Sequence, residues 1–265
     1  MIDLLFTVDD IVMTTTQQGD SPAPLVFPPV QGEPKQLFVL LHGDAAAPEQ
    51  LMALTQAIKQ SFPQALLLLP YGSIRTDAST YHWFEQAGLS EANYVERVAQ
   101  ALPALIEQIR KVQVEYSLSG EFTALAGFDQ GATMALEACS AQPDLAGRVL
   151  AFSGSYARLP EIAPPATTLH LLHGANDGLI PLSFMQRTHQ HLADLQGDST
   201  LDIATKIGHE LHEALINQAI HRLKTCVPLR SWQAAMGQLQ VDVYEPGALD
   251  QDLENPGSNP NRTLH

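Results

Sequence analysis

The sequence predicts an α/β domain in which helices cover both faces of a mostly parallel, twisted sheet. Short uninterrupted apolar runs alternate along the chain with longer stretches of helical periodicity. An apolar run without polar alternation is typical of a strand that is buried on both faces, as strands of parallel sheets are. The regular exchange of strand and helix indicates such a sheet, with right-handed crossovers between its strands.

The regular pattern begins at Leu37, where five apolar residues run up to His42-Gly43. Apolar runs place strands at 37–41, 65–69, 122–126, 149–152, 168–172 and 200–205, and helical periodicity places helices at 48–61, about 89–115, 132–141, 182–194 and 211–224. A polar loop is expected at 71–82. Only 15 residues, 153–167, separate the fourth and fifth strands, so we expect no large lid over the sheet.

We divide the chain into an N-terminal extension with a possible edge strand at 1–34, an α/β domain at 35–228, and a C-terminal helix with a disordered acidic tail at 229–265. Residues 1–12 are either an extension before an alternative start at Met13 or an edge strand. Residues 246–265 are rich in Pro, Gly, Asn and Asp, a composition that is typical of disorder.

The chain is strongly acidic, with 14 basic and 29 acidic side chains and a formal net charge of −15. This charge makes it a poor candidate for binding nucleic acid or anionic lipid surfaces. No apolar stretch approaches the roughly 18 residues that a membrane span requires, so no span is expected.

The cysteines and histidines give further expectations. Cys139 and Cys226 lie in apolar helical patterns, which favours buried free thiols. Because no secretory signal is recognisable, this cysteine usage indicates a cytoplasmic protein. His189 and His191 are two residues apart on a predicted helix and face different sides of it, so no metal site is expected.

The segment Gly127-Phe128-Asp129-Gln130-Gly131 lies between a buried strand and a helix. Glycines two residues before and after the central residue allow a sharp strand-to-helix turn, which exposes the central side chain above the sheet. In esterases this turn is called the nucleophile elbow and has the sequence G-x-S-x-G, whereas the central residue here is Asp129. A Gly-flanked turn into a helix also occurs in proteins without catalytic function.

Two other predicted strands end in residues that suit a catalytic triad. Asp177 follows the strand at 168–172 in a Gly-containing loop, where its alternative role is that of a helix cap. His209 follows the last strand, and we prefer it to His212 because Gly208 frees its backbone; an exposed loop histidine is the alternative. The order Asp129, Asp177, His209 is the hydrolase order of nucleophile, acid and base.

The surroundings of Asp129 are predicted from the same strand ends. The backbone N–H groups of Asp44, after the first strand, and of Gln130, at the start of a helix, are placed to face a developing oxyanion. Trp83 and Phe84 belong to the polar loop region. They are expected either to line a substrate pocket or to anchor the loop in the core.

With these motifs the chain resembles the phospholipase/carboxylesterase family of α/β-hydrolases, which includes acyl-protein thioesterases and small bacterial carboxylesterases. The matching segments are LFVLLHGD (37–44), YHWFEQAG (81–88), ALAGFDQGATMALEA (124–138), AFSGSYARLP (151–160), LHLLHGANDGLIP (169–181) and LDIATKIGHEL (201–211). The resemblance implies an α/β-hydrolase fold, no cofactor and a small acyl ester or thioester as substrate. It also implies that Asp177 is the triad acid, that His209 is the general base, and that Asp44 and Gln130 form the oxyanion hole.

Asp129 and Ala45 depart from the family pattern, which has a nucleophilic serine at the first position and often a glycine at the second. A helix N-terminus and His209 are expected to hold Asp129 ionised as an ion pair. Attack of a carboxylate on an ester carbonyl gives an anhydride that readily reverses, so ester turnover is expected to be weak or absent.

The alternatives are an Asp-nucleophile hydrolase of alkyl halides or epoxides, as in related dehalogenases and epoxide hydrolases, and a non-catalytic acyl-ligand-binding pseudoenzyme. Those related hydrolases usually have Trp or Arg after the Asp, whereas Gln130 agrees with the esterases.

Overall fold

The computed structural model describes residues 22–231; the N-terminal extension expected at 1–12 and the tail expected at 246–265 lie outside this range. The strands are β1 (Leu25–Phe27), β2 (Gln36–Leu41), β3 (Ala65–Leu69), β4 (Ile74–Arg75), β5 (Tyr81–His82), β6 (Thr123–Phe128), β7 (Arg148–Phe152), β8 (Thr168–Gly174) and β9 (Ser199–Ala204). The α-helices are α1 (Met52–Ser61), α2 (Glu91–Glu115), α3 (Gln130–Ala141), α4 (Leu182–Asp194) and α5 (Glu213–Thr225).

The main sheet has seven strands in the order β1-β3-β2-β6-β7-β8-β9. All neighbouring pairs are parallel except β1 and β3, which are antiparallel. The predicted mostly parallel sheet is therefore confirmed. Strand β1 lies within the segment 1–34, so the sheet begins before residue 35. Strands β4 and β5 pair as a small hairpin inside the loop predicted at 71–82.

Strand β2 shows why the apolar runs lack polar alternation. Leu37, Val39 and Leu41 pack into the core cluster that contains buried residues of α2, α3 and α4. Phe38 and Leu40 point the other way, into the cluster that contains residues of α1 and α5. Because side chains alternate between the two faces of a strand, a sheet that is covered on both sides requires apolar residues at every position.

The chain divides into two compact units at Cys226. The first unit contains the sheet and the five helices. In the second, the described residues are 227–231, in which the N–H of Ser231 donates a hydrogen bond to the carbonyl of Pro228. Both cysteines are free, and Cys139 is buried as expected, whereas Cys226 is only partly buried. Among residues 22–231, no helix is long and apolar enough to cross a membrane.

Candidate active site

Asp129 occupies a sharp turn between β6 and α3, with φ 53° and ψ −117°. A non-glycine residue rarely adopts a positive φ, and this conformation costs roughly 1–3 kcal/mol. The two flanking glycines are required by close contacts, because a Cβ at Gly131 would lie 2.1 Å from the carbonyl oxygen of Leu41 and one at Gly127 would lie 2.2 Å from that of Gly131. The N–H of Asp129 donates to the carbonyl of Phe152 at 2.9 Å. The turn therefore presents the Asp129 side chain, 27% exposed, above the carboxyl edge of the sheet.

Asp177, in the loop after β8, holds His209 by a hydrogen bond of 2.9 Å between Nδ1 and Oδ2. Its Oδ1 accepts the N–H groups of Leu179 and Ile180, each at 2.9 Å. Burial alone would raise the pKa of Asp177, but the Ile180 N–H, the His209 ring and the Leu179 N–H together hold that pKa below its ordinary value. Asp177 is therefore an ionised carboxylate that fixes the ring of His209, and it does not cap α4.

The ring of His209 lies between Asp177 and Asp129. Its Nε2 is 3.8 Å from Oδ1 of Asp129, a distance that is longer than a hydrogen bond. The ring packs against Phe128 with a centroid distance of 4.9 Å. His212 takes a different place: its Nδ1 accepts the N–H of Ala214 at the start of α5.

The backbone N–H of Asp44 donates a hydrogen bond of 3.0 Å to Oδ2 of Asp129. The N–H of Gln130 lies in the first turn of α3, where helix N–H groups have no acceptor within the helix. The structure thus brings the N–H of Asp44 to the side chain of Asp129, and Gln130 follows Asp129 at the start of α3. The acceptor of the Asp44 N–H is the Asp129 carboxylate.

The loop that carries Asp44 is held in an unusual conformation. Ala45 has a φ of 45°, which costs an L-residue roughly 1–2 kcal/mol and explains the glycine that the resemblance implies here. The Asp44 carboxylate contacts Nδ1 of His82 on β5. Sequence reasoning did not single out His82; the only signal was its position next to Trp83 in a segment that matches the family.

Trp83 and Phe84, for which the sequence left a pocket wall and a core anchor open, are both buried. Their exposed fractions are 4% and 3%, and both belong to the core cluster on the face of α2, α3 and α4. The indole N–H of Trp83 donates to the carbonyl of His42 at 2.8 Å, and its backbone N–H donates to the side chain of Gln130 at 2.7 Å. The structure thus favours the alternative of core anchors that join the loop to the elbow.

The histidines outside this site have separate partners. Nδ1 of His189 lies 3.0 Å from the hydroxyl of Ser199, and Nε2 of His191 lies 2.7 Å from the carbonyl of Pro160. In the range 22–231, no three His, Cys, Asp or Glu side chains are grouped in a way that could hold a metal ion.

The comparisons with known proteins agree with this geometry. The model of the Phospholipase/Carboxylesterase family matches residues 26–227. Esterase YpfH of Escherichia coli (strain K12) is 36% identical over 203 residues, which cover 76% of this chain and 88% of the relative. The crystal structure of esterase PE8 has a TM-score of 0.70 and 26% identity, with 78% of this chain and 98% of that chain covered.

A carboxylesterase from Mesorhizobium loti, at 15% identity, shares the fold with a TM-score of 0.68 over 82% of this chain and 99% of its own. The sheet, the elbow at Asp129 and the family match over most of the chain lead to one assignment. The chain belongs to the phospholipase/carboxylesterase family of α/β-hydrolases.

Proposed function

We propose that this chain carries the acyl-hydrolase site of its family with the nucleophile replaced, and that it hydrolyses carboxylic esters and thioesters weakly or not at all. The hydrogen bond from the Asp44 N–H to Oδ2 of Asp129 is the observation that carries this proposal. In acyl transfer, such an N–H stabilises the negative charge that develops on the substrate carbonyl oxygen. Here a carboxylate oxygen of Asp129 accepts that hydrogen bond. The Asp44 N–H is therefore not available to the carbonyl oxygen of a substrate.

The chemistry of the Asp129 side chain also predicts weak or absent ester hydrolysis. A serine hydroxyl becomes a strong nucleophile when a histidine removes its proton. A carboxylate has no such proton, and its attack on an ester carbonyl gives an anhydride, from which the alcohol is readily acylated again. The Nε2 of His209, 3.8 Å from Oδ1 of Asp129, therefore faces no proton to abstract.

With serine at position 129, the remaining residues have the roles of a complete triad. Asp177 orients His209, His209 is the general base, and the N–H groups of Asp44 and Gln130 stabilise the oxyanion. Loss of the nucleophile from comparable triads lowers kcat by on the order of 10⁴- to 10⁶-fold.

The test compares this chain with its Asp129→Ser and Asp129→Ala variants on p-nitrophenyl acetate and butyrate. We expect the serine variant to gain at least roughly 10³-fold in kcat/KM, because it supplies the hydroxyl and releases the Asp44 N–H. The alanine variant releases the same N–H without a nucleophile and should show no comparable gain. Equal rates for the serine and alanine variants would contradict the proposal.

A second candidate function is favoured by the two different environments of the Asp129 oxygens. Oδ1 faces His209, while Oδ2 is held by the Asp44 N–H. Attack of Oδ1 on an sp³ carbon would expel a halide or open an epoxide and leave an alkyl ester. His209 would then take a proton from water, whose oxygen adds to Cγ of Asp129 while charge develops on Oδ2 beside the Asp44 N–H. The bond from Cγ to the ester oxygen Oδ1 would then break, and the proton on His209 would pass to the leaving alcohol oxygen.

This candidate is tested by halide release from alkyl halides and by mass spectrometry of the peptide that contains Asp129. A His209→Asn variant should accumulate the alkyl ester, because the ester forms but is not hydrolysed. If neither halide nor adduct is found across alkyl halides and epoxides, this candidate is excluded.

A further inference from the structure

We infer that His82 is the positioning residue of the oxyanion donor: its ring holds the Asp44 side chain so that the Asp44 N–H faces residue 129. The inference deepens the proposed function, and its kinetic test rests on that function. A second test, on the unaltered chain, does not depend on turnover.

The first observation is the contact itself. Nδ1 of His82 contacts Oδ1 of Asp44, and the His82 side chain is only 12% exposed. A carboxylate oxygen only accepts hydrogen bonds. The ring nitrogen Nδ1 therefore carries a hydrogen, and this N–H donates a hydrogen bond to Asp44. The same Nδ1 lies 3.2 Å from the backbone nitrogen of Ala45. Because Nδ1 carries a hydrogen in this tautomer, it cannot accept a hydrogen bond from the Ala45 N–H.

The second observation is the strained backbone that follows. Ala45 has a positive φ of 45°, a conformation that persists only where surrounding contacts enforce it. After Ala45, the N–H and carbonyl of Ala46 pair with the backbone of Tyr81 at 3.3 and 2.8 Å. Before Ala45, the link to the β4–β5 hairpin is the pair of Asp44 and His82. The hairpin thus fixes the strained residue from both sides.

The third observation concerns the direction of the two groups of Asp44. Its N–H is directed to Asp129, while its carboxylate is directed to His82. If the carboxylate turned toward residue 129 instead, it would repel the negative charge that the N–H stabilises. The contact with His82 therefore keeps this carboxylate away from the oxyanion that the N–H stabilises.

The test on the unaltered chain uses the amide proton of Asp44 in NMR spectra. We expect His82→Ala to move this resonance upfield and to speed its exchange with solvent, because the bond to Asp129 weakens. His82→Asn, whose amide N–H can replace Nδ1, should keep both values near those of the parent. His221→Ala, at an exposed ring on α5, is the matched control and should change neither. An unchanged Asp44 amide in His82→Ala would overturn the inference.

The kinetic test uses the Asp129→Ser background. His82→Ala should lower kcat roughly 10-fold with KM changed less than about twofold, a fraction of the 10²–10³-fold loss on removal of an oxyanion donor. His82→Asn should restore most of kcat. Asp44→Ala keeps the backbone N–H and removes the acceptor of the His82 hydrogen bond, so its loss of kcat should not add to that of His82→Ala. Additive losses, or no rescue by Asn, would contradict the inference.

The two tests separate the possible failures. If Asp129→Ser gains no activity, the proposed function fails, and the Asp44 amide in the unaltered chain still decides the role of His82. If His82→Ala does not fold, the comparison of Asp44→Ala with the Asp129→Ser parent gives the kcat effect of breaking the pair, because alanine removes the oxygen that accepts from His82. An unchanged kcat there would overturn the inference.

Discussion

The N–H of Asp44 and Oδ2 of Asp129, 85 positions apart in the chain, form a hydrogen bond of 3.0 Å. The two residues follow neighbouring parallel strands, in which Leu41 of β2 is paired with Gly127 of β6. This register brings the loop after β2 against the turn after β6. The register of the sheet therefore brings the Asp44 loop next to residue 129.

Replacement of Ala45 by glycine should leave the free energy of unfolding unchanged or raise it by up to about 1.6 kcal/mol. Relief of the positive φ is worth roughly 1–2 kcal/mol, and the greater freedom of glycine in the unfolded chain costs about 0.4–1 kcal/mol. Ala104→Gly, at an exposed position inside α2, is the control and should cost about 1 kcal/mol. Urea unfolding measures the free energy of unfolding of both variants. The same loss of stability in Ala45→Gly as in Ala104→Gly would show that Ala45 is not strained.

Asp177→Asn should destabilise the protein by about 1–3 kcal/mol, because one amide oxygen cannot replace two carboxylate oxygens that accept from Leu179, Ile180 and His209. In the Asp129→Ser background it should also lower kcat by on the order of 10⁴-fold, since the amide does not fix the His209 tautomer. Asp194→Asn, on the exposed surface of α4, is the control. A loss of stability without a loss of kcat would contradict the role of Asp177 in orienting His209.

The free energy of unfolding should fall as the pH falls from about 6.5 to about 4. Burial lowers the pKa of His42 and of His170 to about 4, whereas a histidine in the unfolded chain has a pKa near 6.5. Between these values the unfolded chain binds protons that the folded chain does not, so stability rises with pH. Each ring contributes on the order of 3 kcal/mol across this window.

His170→Leu tests this dependence, since it removes one of the two rings. Its unfolding free energy, measured by urea unfolding at several pH values, should depend less steeply on pH between about 4 and 6.5. His221→Gln replaces an exposed ring and should leave the slope unchanged. The same slope in all three proteins would mean that the buried ring of His170 takes up its proton without opposing the fold.

The long elements were predictable because burial imposes a pattern on the sequence. β3, for example, runs from Ala65 to Leu69 as predicted, since all five residues are buried. The hairpin of β4 and β5 was not predicted, because strands of two residues are too short for a periodicity. The helix α3 begins at Gln130, two residues earlier than predicted, because its first turn is built around the elbow and its glycine rather than on an apolar stripe.

The meeting of Asp177, His209 and Asp44 around Asp129 follows from the topology, since parallel strands end at one edge of the sheet. The partner of Asp44 on β5 does not follow from it. The contact with His82 depends on the path of a polar loop whose sequence has no regular pattern. The burial of Trp83 was equally open, because an aromatic residue in such a loop is compatible with a pocket wall and with the core.

The crowding at Gly127 and Gly131 has a consequence for how this site can evolve. Close backbone contacts exclude any larger residue at these two positions, and none of the three nearest contacts at either glycine comes from the side chain of residue 129. A substitution at residue 129 therefore exchanges one reactive group for another while the two glycines stay in place. The reactive group and the turn that presents it therefore depend on different positions of the sequence, so the chemistry of this site can change at residue 129 while the glycines keep the turn.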